Sequence, residues 1–377
     1  MVKNKIALVG IMVITVLEAL SQTPSIQWQK CLGGTSDDYG YSMRLTFDGG
    51  YIVVGTTLSS NGDVTGYHGN YDCWIVKLDV GGNILWQKAL GGTSRDEAYS
   101  VYQTLDSGYI MVGLTESNDG DVSGFHGGSD SWVVKFDSSG IIQWQKCYGG
   151  TDFEVAESIQ QTSDGGYIVG GSTQSNDGDV SGLHGGDDYW LLKLDSAGNI
   201  QWQKCLGGTG FERAFSVVQT SDGGYIMNGQ SLSNDGDVSG NHGNWDYWIV
   251  KVNNSGSIQW QKSLGGGNDD FGDDIHQTLD GGYILEGESY SDDGDVTGSH
   301  GTLWGDCWVI KLDASGNIEW QKCLGGTNID AADFIEQNAD SSYVVAGWTS
   351  SNDGDVTGWH GGFDVWAVRI SSGGNIQ

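Results

Sequence analysis

Apolar and polar residues alternate in short runs along most of this chain, as at 98–104 and 108–114. Beyond residue 21 no window carries the three-to-four-residue spacing of an amphipathic helix. Two such runs are joined by a tight Asp-Ser-Gly or Asp-Gly-Gly turn, which predicts a hairpin. A long acidic loop follows, then a strand such as 132–136, an Asp-Ser-Ser-Gly turn and a last strand such as 142–147. A Gly-Gly-Thr linker leads into the next copy of the same pattern.

The pattern occurs six times. The Trp of Trp-Gln-Lys stands at 28, 86, 144, 202, 260 and 320, which sets a repeat of 58 residues, stretched to 60 once by two extra residues in 302–305. Four short strands per repeat and no helix predict an all-β fold, a six-bladed β-propeller of four-stranded antiparallel blades. The strands are taken as inner, second, third and outer, counting from the axis. Residues 26–32 read as an outer strand without its other three, and the chain ends on Asn375-Ile376-Gln377, where an outer strand begins. The N-terminal strand is therefore expected to complete the last blade and close the ring, leaving no open edge. The competing reading is a chain cut short before further repeats.

Residues 1–21 are read as a signal peptide and 22–377 as a single propeller domain. Lys3 and Lys5 precede an apolar run over 6–17, and Ala19-Leu20-Ser21 fits a small-residue cleavage site. A membrane anchor is the alternative, but the run is short for a span, and no Cys follows the cleavage point to take a lipid. Export is expected, to the surface, surroundings or periplasm of a bacterium. Sixty-three Gly, one Pro and 11% aromatic residues set the chain apart from a disordered tail. Its formal charge of −32 repels nucleic acid and anionic membranes and attracts cations, so no nucleic-acid partner is expected. A monomer is expected.

Six cysteines in an exported chain raise the question of disulfides. Cys31, Cys147, Cys205 and Cys323 share one slot in different repeats, too far apart to bridge. If the turn after Leu312 pairs it with Ile318, Cys307 falls opposite Cys323, and one bridge is open there; buried free thiols are the alternative. Twelve of the sixteen Trp recur at fixed slots, six in Trp-Gln-Lys and six at Trp74, Trp132, Trp190, Trp248, Trp308 and Trp366. Recurrence in every blade predicts packing between blades rather than a ligand platform. Lys77, Lys135, Lys193, Lys251 and Lys311, with Arg369 sixth, recur on the third strand. Acidic residues gather in the loops and linkers of one face.

The strings Ser-Asp-Gly-Gly-Tyr-Ile-Val-Gly-Gly (163–171), Asp-Tyr-Trp-Leu-Leu-Lys-Leu-Asp (188–195) and Gly-Asn-Ile-Gln-Trp-Gln-Lys-Cys-Leu-Gly-Gly-Thr (198–209) resemble bacterial secreted β-propeller repeats of the SBBP and delta-60 type. The resemblance covers all six repeats and implies a propeller fold and export, in families of mostly undefined activity. The Asp-x-x-Gly-x-Ile-x-Trp turn is also similar to the repeat of quinone (PQQ) dehydrogenase propellers, although their vicinal disulfide has no counterpart here.

The acidic loop carries the candidate chemistry. Positions 1, 3, 5 and 12 hold oxygen side chains around a Gly at 6, the spacing of a calcium loop. The six sets are Asn61, Asp63, Thr65 and Asp72; Asp119, Asp121, Ser123 and Asp130; Asp177, Asp179, Ser181 and Asp188; Asp235, Asp237, Ser239 and Asp246; Asp293, Asp295, Thr297 and Asp306; and Asp353, Asp355, Thr357 and Asp364. Against calcium, Asp at 12 is shorter than the bidentate Glu of an EF-hand, and the same residues serve as Asx and ST turns in metal-free loops. The loop histidines, His68, His126, His184, His242, His300 and His360, occur once per blade, so they are expected to stiffen each loop rather than converge on zinc.

Unlike residues stand at two slots. The inner strand carries Arg44, Tyr102, Gln160, Val218, His276 and Glu336, which are expected to reach the central channel. The position before the loop His holds Tyr67, Phe125, Leu183, Asn241, Ser299 and Trp359; with Tyr71, Trp245, Trp304 and Phe363 these form a candidate aromatic rim suited to sugar rings. Drift at unconstrained positions is the alternative for both. No nucleophile–base pair stands out, so no catalytic or cofactor-binding residue is assigned. The leading expectation is an exported, calcium-stabilised binding or display module for an extracellular glycan or protein. The alternatives are a glycan-processing or quinone-type propeller enzyme with its site near Arg44, His276 and Glu336, and a purely structural surface protein.

Overall fold

The computed structural model describes residues 26–301 and 304–377; the expected signal peptide lies outside them. The chain divides into a unit over 1–31, which carries no strand in its described part, and a unit over 32–377. The second unit holds six antiparallel sheets arranged as a β-propeller, with no helix among the described residues. The second blade shows the plan: Asp96–Gln103, Tyr109–Thr115, Asp130–Phe136 and Ile142–Tyr148, paired in that order. Residues 38–90, 154–206, 212–264 and 270–324 repeat it, and 330–370 forms a last blade of three strands.

The third strand of each inner blade is buried at every residue, because a neighbouring blade covers each of its faces. Each interface is one apolar cluster drawn from two consecutive blades, as where Ile110, Val112 and Val133 meet Val169, Trp190 and Leu192. The recurring Trp close these interfaces as expected. The Trp144 ring stands edge-on to Tyr167 of the next blade at 6.0 Å, and Trp202, Trp260 and Trp320 repeat the contact. Gly140, at φ 77°, lets the next blade's turn lie on the Trp86 ring; a Cβ there would sit 2.9 Å from the indole.

Two expectations are corrected. Residues 26–32 form no strand, where an outer strand was expected, and the last blade counts three strands. The first places of its fourth strand are taken by the chain's own end: Ile376 bridges Ile370, and the Gln377 amide donates to the Arg369 carbonyl at 3.0 Å. Among the described residues no apolar cluster joins the last blade to the first. Val365 is 91% exposed where Cys307, one blade earlier, is fully buried. The Cys307–Cys323 pairing also fails. Leu312 does pair with Ile318, but a bulge between Lys311 and Leu312 shifts the register, so Cys323 faces Trp308 and Cys307 faces Leu324. All six thiols are free.

The third-strand lysines are buried, not surface charge. Lys77, Lys135, Lys193, Lys251 and Lys311 are only 2–3% exposed. Each reaches the Asp of its blade's hairpin turn, Lys193 to Asp164 at 2.9 Å, and donates to a main-chain carbonyl. The same carboxylate accepts from Thr162 Oγ1 at 2.5 Å and from the Gly166 amide at 3.0 Å. Burial pushes the Asp164 carboxyl up, but the bonds from Thr162 and Lys193 outweigh it and hold it at about 2.

The pair is asymmetric, since Asp164 is 53% exposed and Lys193 is not. Asp164→Ala strands a buried ammonium and is expected to cost about 3 kcal/mol, whereas Lys193→Met leaves a solvated carboxylate and should cost about 1 kcal/mol. Urea denaturation of the two variants checks the order; equal losses would contradict it.

Candidate functional site: acidic loops and central channel

The loop oxygens turn to four different partners. Position 1 caps the linker: Asp119 accepts from the Thr93 amide at 2.8 Å and from its hydroxyl at 3.0 Å, and Asp177, Asp235 and Asp353 do the same in their blades. Position 5 accepts from the outer-strand Gln, as Ser181 does from Gln203 at 2.6 Å. Position 12 is fully buried in five blades. Its carboxylate accepts from the loop His amide and bonds the ring, His184 Nδ1 to Asp188 at 2.7 Å. The far nitrogen of that ring lies near position 3 of the next blade, with His68–Asp121 at 3.6 Å, His184–Asp237 at 3.9 Å, His242–Asp295 at 3.7 Å and His300–Asp355 at 3.7 Å.

The set read from the spacing therefore does not gather around one point and does not fit a calcium loop of that kind. Among the described residues no group of three or more His, Cys, Asp or Glu is arranged to hold a metal ion. The histidines do stiffen their loops, and they also link adjacent blades through Asp–His–Asp chains. The second oxygen of Asp72, Asp130, Asp188, Asp246 and Asp306 is buried without a partner. Burial, with some repulsion from Glu154 of the next blade, pushes Asp130 up to about 6 against the hydrogen bonds from His126.

The other candidate site is the channel. The six inner strands surround a cavity of about 610 Å³. Arg44, Tyr102, Gln160, Val218 and His276 line it, as the unlike inner-strand slot predicts; Glu336 is not among the lining residues. The spacing argument missed a second set three residues earlier: Tyr41, Tyr99, Glu157, Phe215, Asp273 and Asp333. Each sits where the pairing of the inner with the second strand slips, as between Ala98 and Ser100 or between Ala332 and Phe334. A bulge residue escapes the two-residue alternation and turns to the axis. A register irregularity read at the same place in all six repeats was the signal available.

Asp274 anchors the channel's polar groups, accepting from Ser216 Oγ at 2.8 Å and bonding His276 Nε2 at 2.9 Å. Burial pushes Asp274 up, but the His276 bond prevails and keeps it below the usual carboxylate range. Nearby carboxylates lack such help. Burial first, and then Asp333 and Glu288, push Asp273 up to about 8; burial, and then Glu97, push Glu157 up to about 7.

No family model matches the chain. A 194-residue stretch, 47% of this chain, is 26% identical to regulatory protein FlaEY of Caulobacter vibrioides, and the match spans 20% of that protein's length. Among solved structures, a protein of unknown function from Bacteroides caccae aligns over 86% of this chain and 91% of its own, with 11% identity and a TM-score of 0.46. A Xanthomonas campestris gluconolactonase aligns over 79% of each chain, with 9% identity and a TM-score of 0.39. A Synechocystis apocarotenoid oxygenase variant aligns over 92% of this chain and 82% of its own, with 14% identity and a TM-score of 0.45. At these scores the likenesses carry no argument about activity.

The titrations set a direction for stability. Asp130, Asp270 and Asp306 at about 6 hold protons in the folded chain that the unfolded chain releases near 4. Their contribution is present at low pH and lost as pH rises through about 6, and Glu157 and Asp273 extend the loss to about 8. The turn carboxylates near 2, such as Asp222, act oppositely, and their contribution is lost only below about pH 4. The melting midpoint is expected to be higher at pH 5 than at pH 8; a midpoint that climbs over that interval would contradict the assignment.

Proposed function

We propose that the propeller is a binding module whose ligand enters the central channel, and that it works outside the cytosol. One observation carries this reading. At equivalent inner-strand places the blades present Tyr41, Tyr99, Glu157, Phe215, Asp273 and Asp333 to one cavity, whereas the acidic loops are near-copies already engaged with their own blades. Six identical loops supply six equal contacts; unlike side chains around one axis supply a single asymmetric pocket, which is what recognition of one ligand needs. The aromatic rim and the glycan or protein ligand first assigned to the loop face are thereby given second place.

Binding is better supported than turnover. Ser216 and His276 bond different oxygens of Asp274, so the Ser216 hydroxyl is held by the carboxylate and not by the imidazole. Export follows from the N-terminal sequence and belongs to the same proposal.

Ligand screening by thermal shift tests the site. Hits are expected to lose about tenfold in affinity when Arg44→Ala and Phe215→Ser remove channel contacts. Hits that persist in those variants but vanish with His184→Asn or His242→Asn would move the site to the loop face. Calcium is no part of this proposal, because the loop oxygens are dispersed among other partners. The melting midpoint is expected to stay put between chelator and millimolar calcium; a concentration-dependent rise would show binding to the native state.

A further inference from the structure

The channel's wall is divided in chemistry. The first two blades give it Tyr41 and Tyr99, whose rings lie 5.5 Å apart at 54°, together with Tyr102. The third, fifth and last blades give it Glu157, Asp273 and Asp333. All of them line one cavity, so phenols and carboxylates share its wall.

A buried group strengthens the acidic side. Glu286, on the second strand of the fifth blade, is fully buried; among the described residues no side chain donates to its carboxylate, and the Asp274 backbone amide is the group that helps it. The groups whose fields act on it are Asp273, Asp274 and Asp333. The equivalent places in the other blades hold Val54, Val112, Gly170, Asn228 and Ala346, so this carboxylate is no part of the repeat. Glu288 Oε1, two residues on, is also buried and unpartnered. The basic residues lining the cavity are Arg44 and His276, and both act on Asp274. Carboxylates taken out of water without a partner need a counter-charge or a proton.

We propose that the channel takes a small organic cation, an ammonium or guanidinium group. Its charge lies against Asp273, Asp333 and Glu157 in front of the buried Glu286, and its apolar part against Tyr41, Tyr99 and Tyr102. An aromatic face attracts such a cation through its quadrupole, most strongly where water is excluded. A metal ion would leave the phenol wall unused, and an uncharged sugar would leave the carboxylates unneutralised. This inference rests on the channel being the ligand site and adds the class of ligand.

Calorimetric titration of the whole protein with choline, agmatine and cellobiose at physiological salt tests it. One equivalent of choline or agmatine is expected to bind, more tightly than cellobiose. The neutral, equally sized variants Asp273→Asn and Glu286→Gln preserve the packing and should each weaken that binding about tenfold. Affinity should also rise between pH 6.5 and 8.5, as the channel carboxylates ionise. If neither cation binds at a single site while cellobiose does and weakens in Phe215→Ser, the cation assignment falls and the channel reading stands. If the cations bind in several equivalents unmoved by Asp273→Asn, they are screening the outer surface and the assignment falls. If no probe responds to any channel substitution, both readings fall.

Discussion

No blade of this protein can bury its own faces, and everything else follows from that. A third strand such as Asp188–Leu194 is apolar on both sides and fully covered only because a sheet stands on each side of it. The contact is made by the same few devices each time: an indole edge-on to the next blade's Tyr, a turn glycine under that indole, and small or branched side chains between. A stack of sheets held by identical contacts turns by a constant angle, and five such steps carry six blades around an axis. The channel is thus a by-product of packing, which leaves its lining residues free to differ.

The acidic composition is handled in three ways. Turn carboxylates such as Asp164 and Asp222 pair with buried lysines. Loop carboxylates such as Asp188 and Asp246 are shared with a histidine that also reaches the neighbouring blade. The carboxylates around Asp273 and Glu286 have neither device. In the first two cases the partner belongs to the repeat; in the third no described side chain supplies it. This is why the fifth and last blades, rather than the conspicuous loops, are proposed as the binding place.

The architecture was legible from Trp-Gln-Lys and its spacing, because a contact made once per blade must recur once per blade. The role of the repeated Trp and the local role of the histidines were legible for the same reason. What was not legible traces to bulges. An inserted residue shifts everything beyond it by one place, which hid Tyr99, Glu157 and Asp273 from an alternation argument and moved Cys323 from Cys307 to Trp308. The spacing of loop oxygens did not show their partners, because side chains four or eleven residues apart in a blade edge have linkers, glutamines and neighbouring blades nearer to hand. Closure by residues 26–32 was expected from their likeness to an outer strand, but Ile376 and Gln377 carry the same two residues to the same places. Glu286 was visible as a charge at a place uncharged in the other blades, a difference that the repeat itself draws the eye away from.

In the proposed division of labour, like residues build the ring and unlike residues in its channel bind the ligand. Hydrogen–deuterium exchange with and without saturating choline maps this directly. Slowed exchange over Asp38–Leu45, Asp96–Gln103, Asp270–Gln277 and Asp330–Gln337, with the loop at 177–188 unchanged, is the predicted result. Protection confined to the acidic loops, with those inner strands unmoved, would contradict it.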